Sequence, residues 1–325
     1  MKLQLIIPQY NETEDIVKNM LDSIKIQQGV DLNDIEVLIG NDGSDVKLSE
    51  DFLKSYPFSI KYFEFKHTSP AGTRQRLFDK ATADYVMFCD ADDMFFSVVG
   101  LYTIMHFIKQ GVDALVCDFM EEIKDHNNGN ISYFTHHKDD RFVHGKVYRR
   151  QHILDNGIIW REDIRYHEDS AYNILAIQTA KTVEYFTSSP IYLWKWRDNS
   201  VCREDPLYVL KTYTRMIYSH SYLINDLIHR GMDGVAMQQV GTLVYNIYYM
   251  LNKDIWLDPM NAKYRYETEK CFKDYFAKYK LLFNTISDKD RKFIISGIKH
   301  RVLTEGVLLE KFTFDDWLKH IEALE

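Results

Sequence analysis

Apolar residues in the first half of the chain form short continuous runs, and these runs are separated by segments with helical spacing. The runs at 3–7, 35–39 and 85–89 are mostly apolar, which predicts buried strands. Between the first two runs, apolar side chains recur at the spacing of one helix face from Ile16 to Ile24. Strands that alternate with helices predict an α/β fold, with a mostly parallel sheet and helices on both faces.

The same patterns give further elements. Asn11, with Glu14 three residues later, is predicted to be the N-cap of the first helix. The polar segment 124–138 is rich in His and Asn, and we expect it to be a mobile loop near the acceptor. The other predicted elements before residue 120 are a strand at 59–65, a helix at 72–83, a helix at 101–109 and a strand at 114–117.

From residue 205 onward the pattern is helical. The predicted helices cover 207–230, 235–251 and 264–283, and two more start at Ser287 and Thr313. We therefore predict two domains, a catalytic α/β domain at 1–204 and a helical C-terminal domain at 205–325. The second domain has no catalytic pattern, so we expect it to pack on the first, to shape the acceptor side or to form a homo-oligomer.

Three polar clusters stand at the carboxyl ends of predicted strands. They are Pro8-Gln9-Tyr10-Asn11, Asn41-Asp42-Gly43-Ser44 and Asp90-Ala91-Asp92-Asp93. Parallel sheets bind ligands at this edge. The third cluster places three acids in four positions, which is costly unless a cation lies there. A divalent metal with oxygen ligands meets that need, although this cluster alone is equally well explained as a polar loop.

Composition narrows the class of protein. The chain has 325 residues, 46% of them hydrophobic, and a net charge of −8, which argues against a broad nucleic-acid surface. The cysteines at 89, 117, 202 and 271 have no zinc-site spacing, so we predict buried thiols in a reducing compartment. No apolar run is long enough to span a membrane, and we expect a cytoplasmic protein without a transmembrane segment.

Several motifs in order resemble those of the family 2 glycosyltransferases with the GT-A fold. They are Ile6-Ile7-Pro8-Gln9-Tyr10-Asn11, Asn41-Asp42-Gly43-Ser44, Thr73-Arg74-Gln75, the stretch 83–93, Gly145-Lys146 and Glu168-Asp169. The resemblance covers roughly residues 1–200. Gln9, Asn41 and Gln75 depart from the family pattern, in which Thr, Asp and Asn are common. The resemblance implies metal-dependent, inverting transfer of a sugar from a nucleotide sugar, with a UDP-sugar as the expected donor.

The resemblance also implies donor contacts. Tyr10 and Asp42 correspond to residues that hold the nucleobase, and Arg74 to one near the base and diphosphate. Asp92 is the expected ligand of Mn²⁺ or Mg²⁺, and Asp90 is expected to face the ribose or to assist at the metal. The predicted nucleotide-sugar-binding residues are Pro8, Tyr10, Asp42, Arg74, Asp90, Ala91, Asp92, Lys146, Arg197 and Ser200.

For catalysis, the resemblance makes Asp169 the general base and Glu168 a residue that orients the donor sugar or the base. Other interpretations stay open for individual residues. Asp42 can simply cap its turn, Arg74 can be a solvated surface residue, and two acids suit the start of any helix. The sequence assigns no role to Asp93.

Two other functions fit an acidic site beside a parallel sheet. A nucleotidyltransferase is expected to carry a glycine-rich, lysine-bearing loop after the first strand, which 8–11 does not provide. A non-catalytic nucleotide-sugar-binding scaffold would not need Asp90, Asp92 and Asp169 together. The acceptor is expected to be a saccharide or polymer, such as a cell-surface polysaccharide or a teichoic-acid-like chain. A nucleic-acid acceptor is disfavoured by the negative charge but not excluded.

Overall fold

A computed structural model of the chain describes residues 2–125, 128–164, 166–198, 205, 207–304 and 313–324. The chain separates into two compact units, residues 1–200 and 201–325. The first unit holds all the described strands and the second is helical. The prediction of an α/β region followed by helices is therefore confirmed. Among the described residues, no helix is both long and apolar enough to cross a membrane.

The main sheet of the first unit has seven strands in the described chain, in the order β10-β6-β9-β4-β1-β2-β3. Only β9 runs antiparallel to its neighbours, so the sheet is mostly parallel, as predicted. The strands are β1 (Leu3–Gln9), β2 (Ile35–Asn41), β3 (Ser59–Glu64), β4 (Tyr85–Phe88), β5 (Met94–Phe95), β6 (Ala114–Cys117), β7 (Phe119–Lys124), β8 (Ile131–His136), β9 (Lys146–Arg149), β10 (Val183–Phe186) and β11 (Tyr192–Trp194).

The helices of the first unit pack apolar faces against this sheet. The helices are α1 (Glu14–Lys25), α2 (Glu50–Lys54), α3 (Pro70–Lys80), α4 (Gly100–Ile108), α5 (Arg150–Asp155) and α6 (Glu168–Gln178). Val17, Met20 and Ile24 of α1 are fully buried in one core with Leu5 and Val37 of the sheet. At about 1.5 to 3 kcal/mol for each buried aliphatic side chain, this contact stabilises the edge at which the polar clusters lie.

Two details of the predicted elements are wrong. The N-cap of α1 is Thr13, whereas Asn11 adopts a left-handed conformation with φ 63° before it. The segment predicted to be a mobile loop at 124–138 contains β8, which pairs antiparallel with β7. These two strands join β5 and β11 in a second, four-stranded sheet, in the order β5-β11-β7-β8.

The second unit consists of helices around an aromatic core. They are α7 (Tyr208–His229), α8 (Asp233–Leu251), α9 (Asp254–Leu257), α10 (Ala262–Asn284), α11 (Asp288–Thr304) and α12 (Phe314–Ala323). Tyr248, Phe272, Tyr275 and Trp317 are buried. The Thr313 side chain caps α12 through the Asp316 amide, as its sequence pattern predicts. The tyrosines at helical spacing therefore serve this core.

Candidate active site

The side chain of Arg74 connects two acidic motifs that are far apart in sequence. Arg74 lies in α3 and is buried. Its guanidinium donates to Oδ1 of Asp90 at 2.6 Å and to Oε1 of Glu168 at 3.1 Å, and it lies 4.9 Å from the ring of Trp160. Burial opposes its charge, but Asp90 and Glu168 outweigh burial and raise the pKa of Arg74. The surface-arginine alternative is therefore wrong.

The ring of Trp160 packs against the guanidinium of Arg74. Its ring stacks on Tyr172 with centroids 4.1 Å apart, and its backbone amide donates to Oε1 of Gln75 at 2.8 Å. Gln75 is one of the positions that depart from the family pattern, and here it fixes the segment that covers Arg74. An arginine held between carboxylates and an aromatic face has few alternative conformations. The position of the Arg74 side chain is thus fixed by its neighbours in the fold.

Asp92 and Glu12 share a second cation, Arg197. The Nε atom of Arg197 lies 3.0 Å from Oδ2 of Asp92, and Nη1 lies 3.2 Å from Oε1 of Glu12. Asp92 and Arg197 are both partly exposed, with 24% and 30% of their side chains accessible. Burial raises the pKa of Glu12, and the charge of Asp92 adds to this, although a hydrogen bond from the Tyr10 amide and the charge of Arg197 oppose it.

Asp93, to which the sequence assigns no role, is fully buried. Its Oδ2 accepts a hydrogen bond from the Tyr192 hydroxyl, and its Oδ1 accepts one from the Lys195 amide, both at 2.9 Å. Burial and then the charges of Asp92 and Asp90 raise the pKa of Asp93 well above its usual range. Asp93 therefore fastens β11 to the end of β4.

Asp90, Asp93 and His144 form a group that can hold a divalent metal. Among the described residues, one ligand atom from each lies within 4.8 Å of the others. Burial lowers the pKa of His144 to about 3, so its imidazole is neutral and able to ligate. Carboxylate and imidazole donors suit a cation such as Mn²⁺, so the donor set fits. This group shares Asp90 with the predicted pair, whereas Asp92 contacts Arg197.

The predicted general base, Asp169, lies next to Glu168 in the first turn of α6, as the sequence predicts. Burial and then the charge of Glu168 raise the pKa of Asp169 to about 7, while Arg74 opposes them. Its Oδ1 accepts a hydrogen bond from the Ser170 amide at 2.8 Å, and the side chain keeps partial exposure. A carboxyl that ionises near neutral pH is suited to accept a proton from a hydroxyl group.

The predicted nucleobase residues, Tyr10 and Asp42, lie at the ends of β1 and β2 and are joined by His67. The rings of Tyr10 and His67 stack with centroids 4.5 Å apart, and Nδ1 of His67 lies 3.1 Å from Oδ2 of Asp42. Asp42 is nearly covered, whereas Tyr10 is exposed. His67 therefore links the two predicted residues.

The remaining predicted residues have different surroundings. Lys146 is buried on β9, and its ammonium lies 3.4 Å from Oδ1 of Asp139. Pro8 lies within β1 beside Gly40, and Ala91 is buried. Ser200 lies outside the described residues. The structure brings Arg74, Asp90 and Glu168 together directly, with Asp169 next in the chain.

Sequence reasoning missed Glu12, His67, Trp160 and His144 as parts of this site. Glu12 follows the first polar cluster directly, so its position was a usable signal. His67 belongs to none of the motifs, and His144 directly precedes Gly145-Lys146, of which only the lysine has a predicted role. Their proximity to the acids depends on how distant segments pack, which no local pattern encodes.

Residues 4–159 match the family model described as glycosyl transferase family 2. The uncharacterized glycosyltransferase EpsJ of Bacillus subtilis is 24% identical over 220 residues, which cover 61% of this chain and 62% of EpsJ. The teichoic acid poly(glycerol phosphate) polymerase of Staphylococcus epidermidis is 26% identical over 173 residues, which cover 52% of this chain and 24% of the polymerase. The chain thus spans less than two thirds of either relative.

Among solved structures, S. aureus TarS 1–349 in complex with UDP-GlcNAc has a similar fold. Its TM-score is 0.60 at 15% identity, and the match covers 92% of both chains. At this identity the similarity concerns the fold, which is of the GT-A type. The family match, the glycosyltransferase relative and this fold agree with the ordered motifs. Residues 4–159 therefore form a domain of glycosyl transferase family 2.

Proposed function

We propose that this glycosyltransferase moves a sugar from a UDP-sugar to a hydroxyl group of a saccharide or polymer acceptor, with inversion and with a divalent metal. The observation that supports the proposal is the pair of contacts from the Arg74 guanidinium to Asp90 and to Glu168, the residue directly before Asp169. The TarS structure with UDP-GlcNAc supports a uridine donor. The relative named as a teichoic acid polymerase supports a polymer acceptor.

The acceptor step is assigned to Asp169. Its carboxylate takes the acceptor hydroxyl proton while the hydroxyl oxygen forms a bond to the anomeric carbon and the bond from that carbon to the diphosphate breaks. Because the attack is in line with the departing group, the configuration inverts. Glu168, held by Arg74, keeps the start of α6 in place during this step. A positioned base contributes about 10²- to 10⁴-fold to the rate.

Cationic groups balance the charge of the departing diphosphate. Arg197 contacts Asp92 and Glu12, and its side chain is partly exposed, so it can turn to a phosphate. We assign the metal to Asp90 and Asp92, because Asp93 is covered and its oxygens bond Tyr192 and Lys195. When bound, the metal would neutralise charge on the two phosphates.

The location and assembly of the enzyme belong to the same proposal. Cys89, Cys117 and Cys271 are unpaired thiols in the described chain, which fits the reducing cytoplasm. Self-association through the helices of the second unit stays a prediction from the sequence. Neither changes the chemistry assigned to the first unit.

The test is release of UDP from a panel of UDP-sugars with Mn²⁺, with water replacing the unidentified acceptor. We expect release from at least one donor. Asp169→Asn should lower turnover about 10²- to 10⁴-fold, because the amide cannot accept the proton, and should leave the Kd for UDP within about twofold.

Asp163→Asn is the matched control, since Asp163 is an exposed acid paired with Arg161 outside the site. It should retain wild-type turnover. If UDP or a UDP-sugar binds but no UDP is released from any donor, the scaffold interpretation replaces the enzyme proposal. If no nucleoside diphosphate is released or bound, both interpretations are wrong. If Asp169→Asn loses UDP binding together with turnover, Asp169 has been assigned the wrong role.

A further inference from the structure

His67 fills the place that the nucleobase is expected to occupy against Tyr10 and Asp42. Its ring stacks on Tyr10 at an interplanar angle of 27°. Roughly half of each side chain is accessible, 48% of Tyr10 and 52% of His67. The pair therefore presents an aromatic surface to solvent at the carboxyl ends of β1 and β3.

The hydrogen bonds of His67 fix its tautomer. Nδ1 lies 3.0 Å from the backbone oxygen of Asp42 and 3.1 Å from Oδ2 of the same residue. Both atoms are acceptors, so Nδ1 must carry the hydrogen. In the neutral imidazole, Nε2 then carries a lone pair and accepts hydrogen bonds. Asp42 thus determines what His67 offers to a ligand.

The carboxylate of Asp42 is fully engaged and covered. Its Oδ1 accepts hydrogen bonds from the Thr68 amide at 2.9 Å and from the Thr68 hydroxyl at 3.4 Å, and its Oδ2 faces His67. Only 3% of the Asp42 side chain is accessible. A base would have to displace His67 to reach this carboxylate. It would then exchange the stack and the hydrogen bond of His67 for equivalent contacts of its own, so the net gain in binding free energy would be small. A base that binds to the existing pair keeps those contacts and adds its own.

The turn after β2 allows this arrangement. Gly43 adopts φ +71°, and a Cβ atom there would lie 2.7 Å from the backbone nitrogen of His67. The absence of a side chain at Gly43 lets the His67 segment approach Asp42 closely. The contact is therefore part of the fold.

We propose that His67 reads the nucleobase of the donor and that Asp42 positions it. Nε2 accepts the imide N–H of uracil in the plane of the imidazole ring, so the base lies beside His67 and packs on the exposed part of the Tyr10 ring. Cytosine has an acceptor where uracil has this N–H, so it meets a lone pair and is disfavoured. The inference rests on the proposed uridine-donor function and gives that function a specificity residue that differs from the expected Asp42.

Two substitutions test the roles of Nδ1 and Nε2 of His67 separately. In His67→Asn the amide nitrogen can keep the bond to Asp42, but nothing replaces Nε2. In His67→Gln the longer side chain can place its amide oxygen near the Nε2 position. We measure the Kd for UDP, CDP and 3-methyl-UDP on the full chain with Mn²⁺ by calorimetry. His106→Ala is the control, because His106 is an exposed histidine of α4 outside the site.

We expect the wild type and His106→Ala to prefer UDP to CDP and to 3-methyl-UDP. His67→Asn should weaken UDP binding about tenfold and abolish the preference, because one hydrogen bond is lost and an N–H is left unpaired. His67→Gln should keep the preference for UDP. A wild type without preference, or a preference that survives in His67→Asn but is lost in Asp42→Asn, overturns the assignment to His67. Absence of binding by any nucleoside diphosphate instead refutes the proposed function.

Discussion

The substitution Glu168→Gln should shift the pH dependence of turnover to lower pH. The pKa of Asp169 is raised to about 7 by burial first and by the charge of Glu168 second. The amide removes the second cause and leaves burial unchanged, and it can still accept the hydrogen bond from Arg74. A neighbouring charge shifts a carboxyl pKa by about one unit or more, so the midpoint should fall to about 6.

The size of the effect follows from the ionised fraction of the base. At about pH 6, roughly one tenth of the Asp169 carboxyls is ionised in the wild type, against roughly half in Glu168→Gln. Near pH 8 both are almost fully ionised. The ratio of turnover at pH 6 to turnover at pH 8 should therefore rise about fivefold in the variant.

The assay is the initial rate of UDP release at saturating donor, measured between about pH 5 and 9. Asp163→Asn serves as the control, because Asp163 is exposed and pairs with Arg161 away from Asp169. Its midpoint should equal that of the wild type. A profile without a rise through pH 7, or a midpoint in Glu168→Gln that stays or moves upward, would refute the assignment of Asp169 as base.

Three further predictions concern the charged neighbours of the site. Glu12→Gln should lower the Kd for UDP several-fold, because the uncharged amide attracts Arg197 less strongly and a negative charge near the diphosphate disappears. Asp92→Asn should weaken Mn²⁺ binding, measured by electron paramagnetic resonance, more than His144→Gln does; the reverse order assigns the metal to the Asp90–Asp93–His144 group. Lys146→Met should lower the unfolding free energy by about 1 to 3 kcal/mol, because the partly buried carboxylate of Asp139 loses its charged partner; unchanged stability with lost UDP binding would support the predicted phosphate role of Lys146.

The sheet and the helix starts could be predicted because their signals are local. The apolar runs at 35–39 and 114–117 are buried on both faces, and the corresponding strands lie at Ile35–Asn41 and Ala114–Cys117. Glu168 and Asp169 begin α6, and acids in the first turn of a helix are stabilised by the helix dipole. Elements with a local sequence signal can thus be predicted from the sequence.

The β7–β8 pair and the left-handed Asn11 could not be predicted for a common reason. Ile131, Tyr133 and Phe134 of β8 are apolar, but their side chains are exposed and the surrounding segment is polar, so no buried face marks this strand; pairing with β7 stabilises it. Asn11 has the sequence of an N-cap, but its side chain accepts a hydrogen bond from the Asp45 amide, 34 residues away. In both cases, long-range contacts override the local preference.

In the acidic stretch at 90–93, each of the three neighbouring carboxyl groups contacts a different partner. Asp90 is neutralised by Arg74 from α3, Asp92 contacts Arg197 beyond β11, and Asp93 is buried under Tyr192. These partners come from segments that are distant in sequence, and together they reduce the repulsion among the three carboxyl groups. Because Arg197 is the most exposed of these partners, Asp92 is the acid whose contact a metal and a diphosphate can replace at least cost. A ligand at this edge then exchanges one cation for another without unpairing the buried acids.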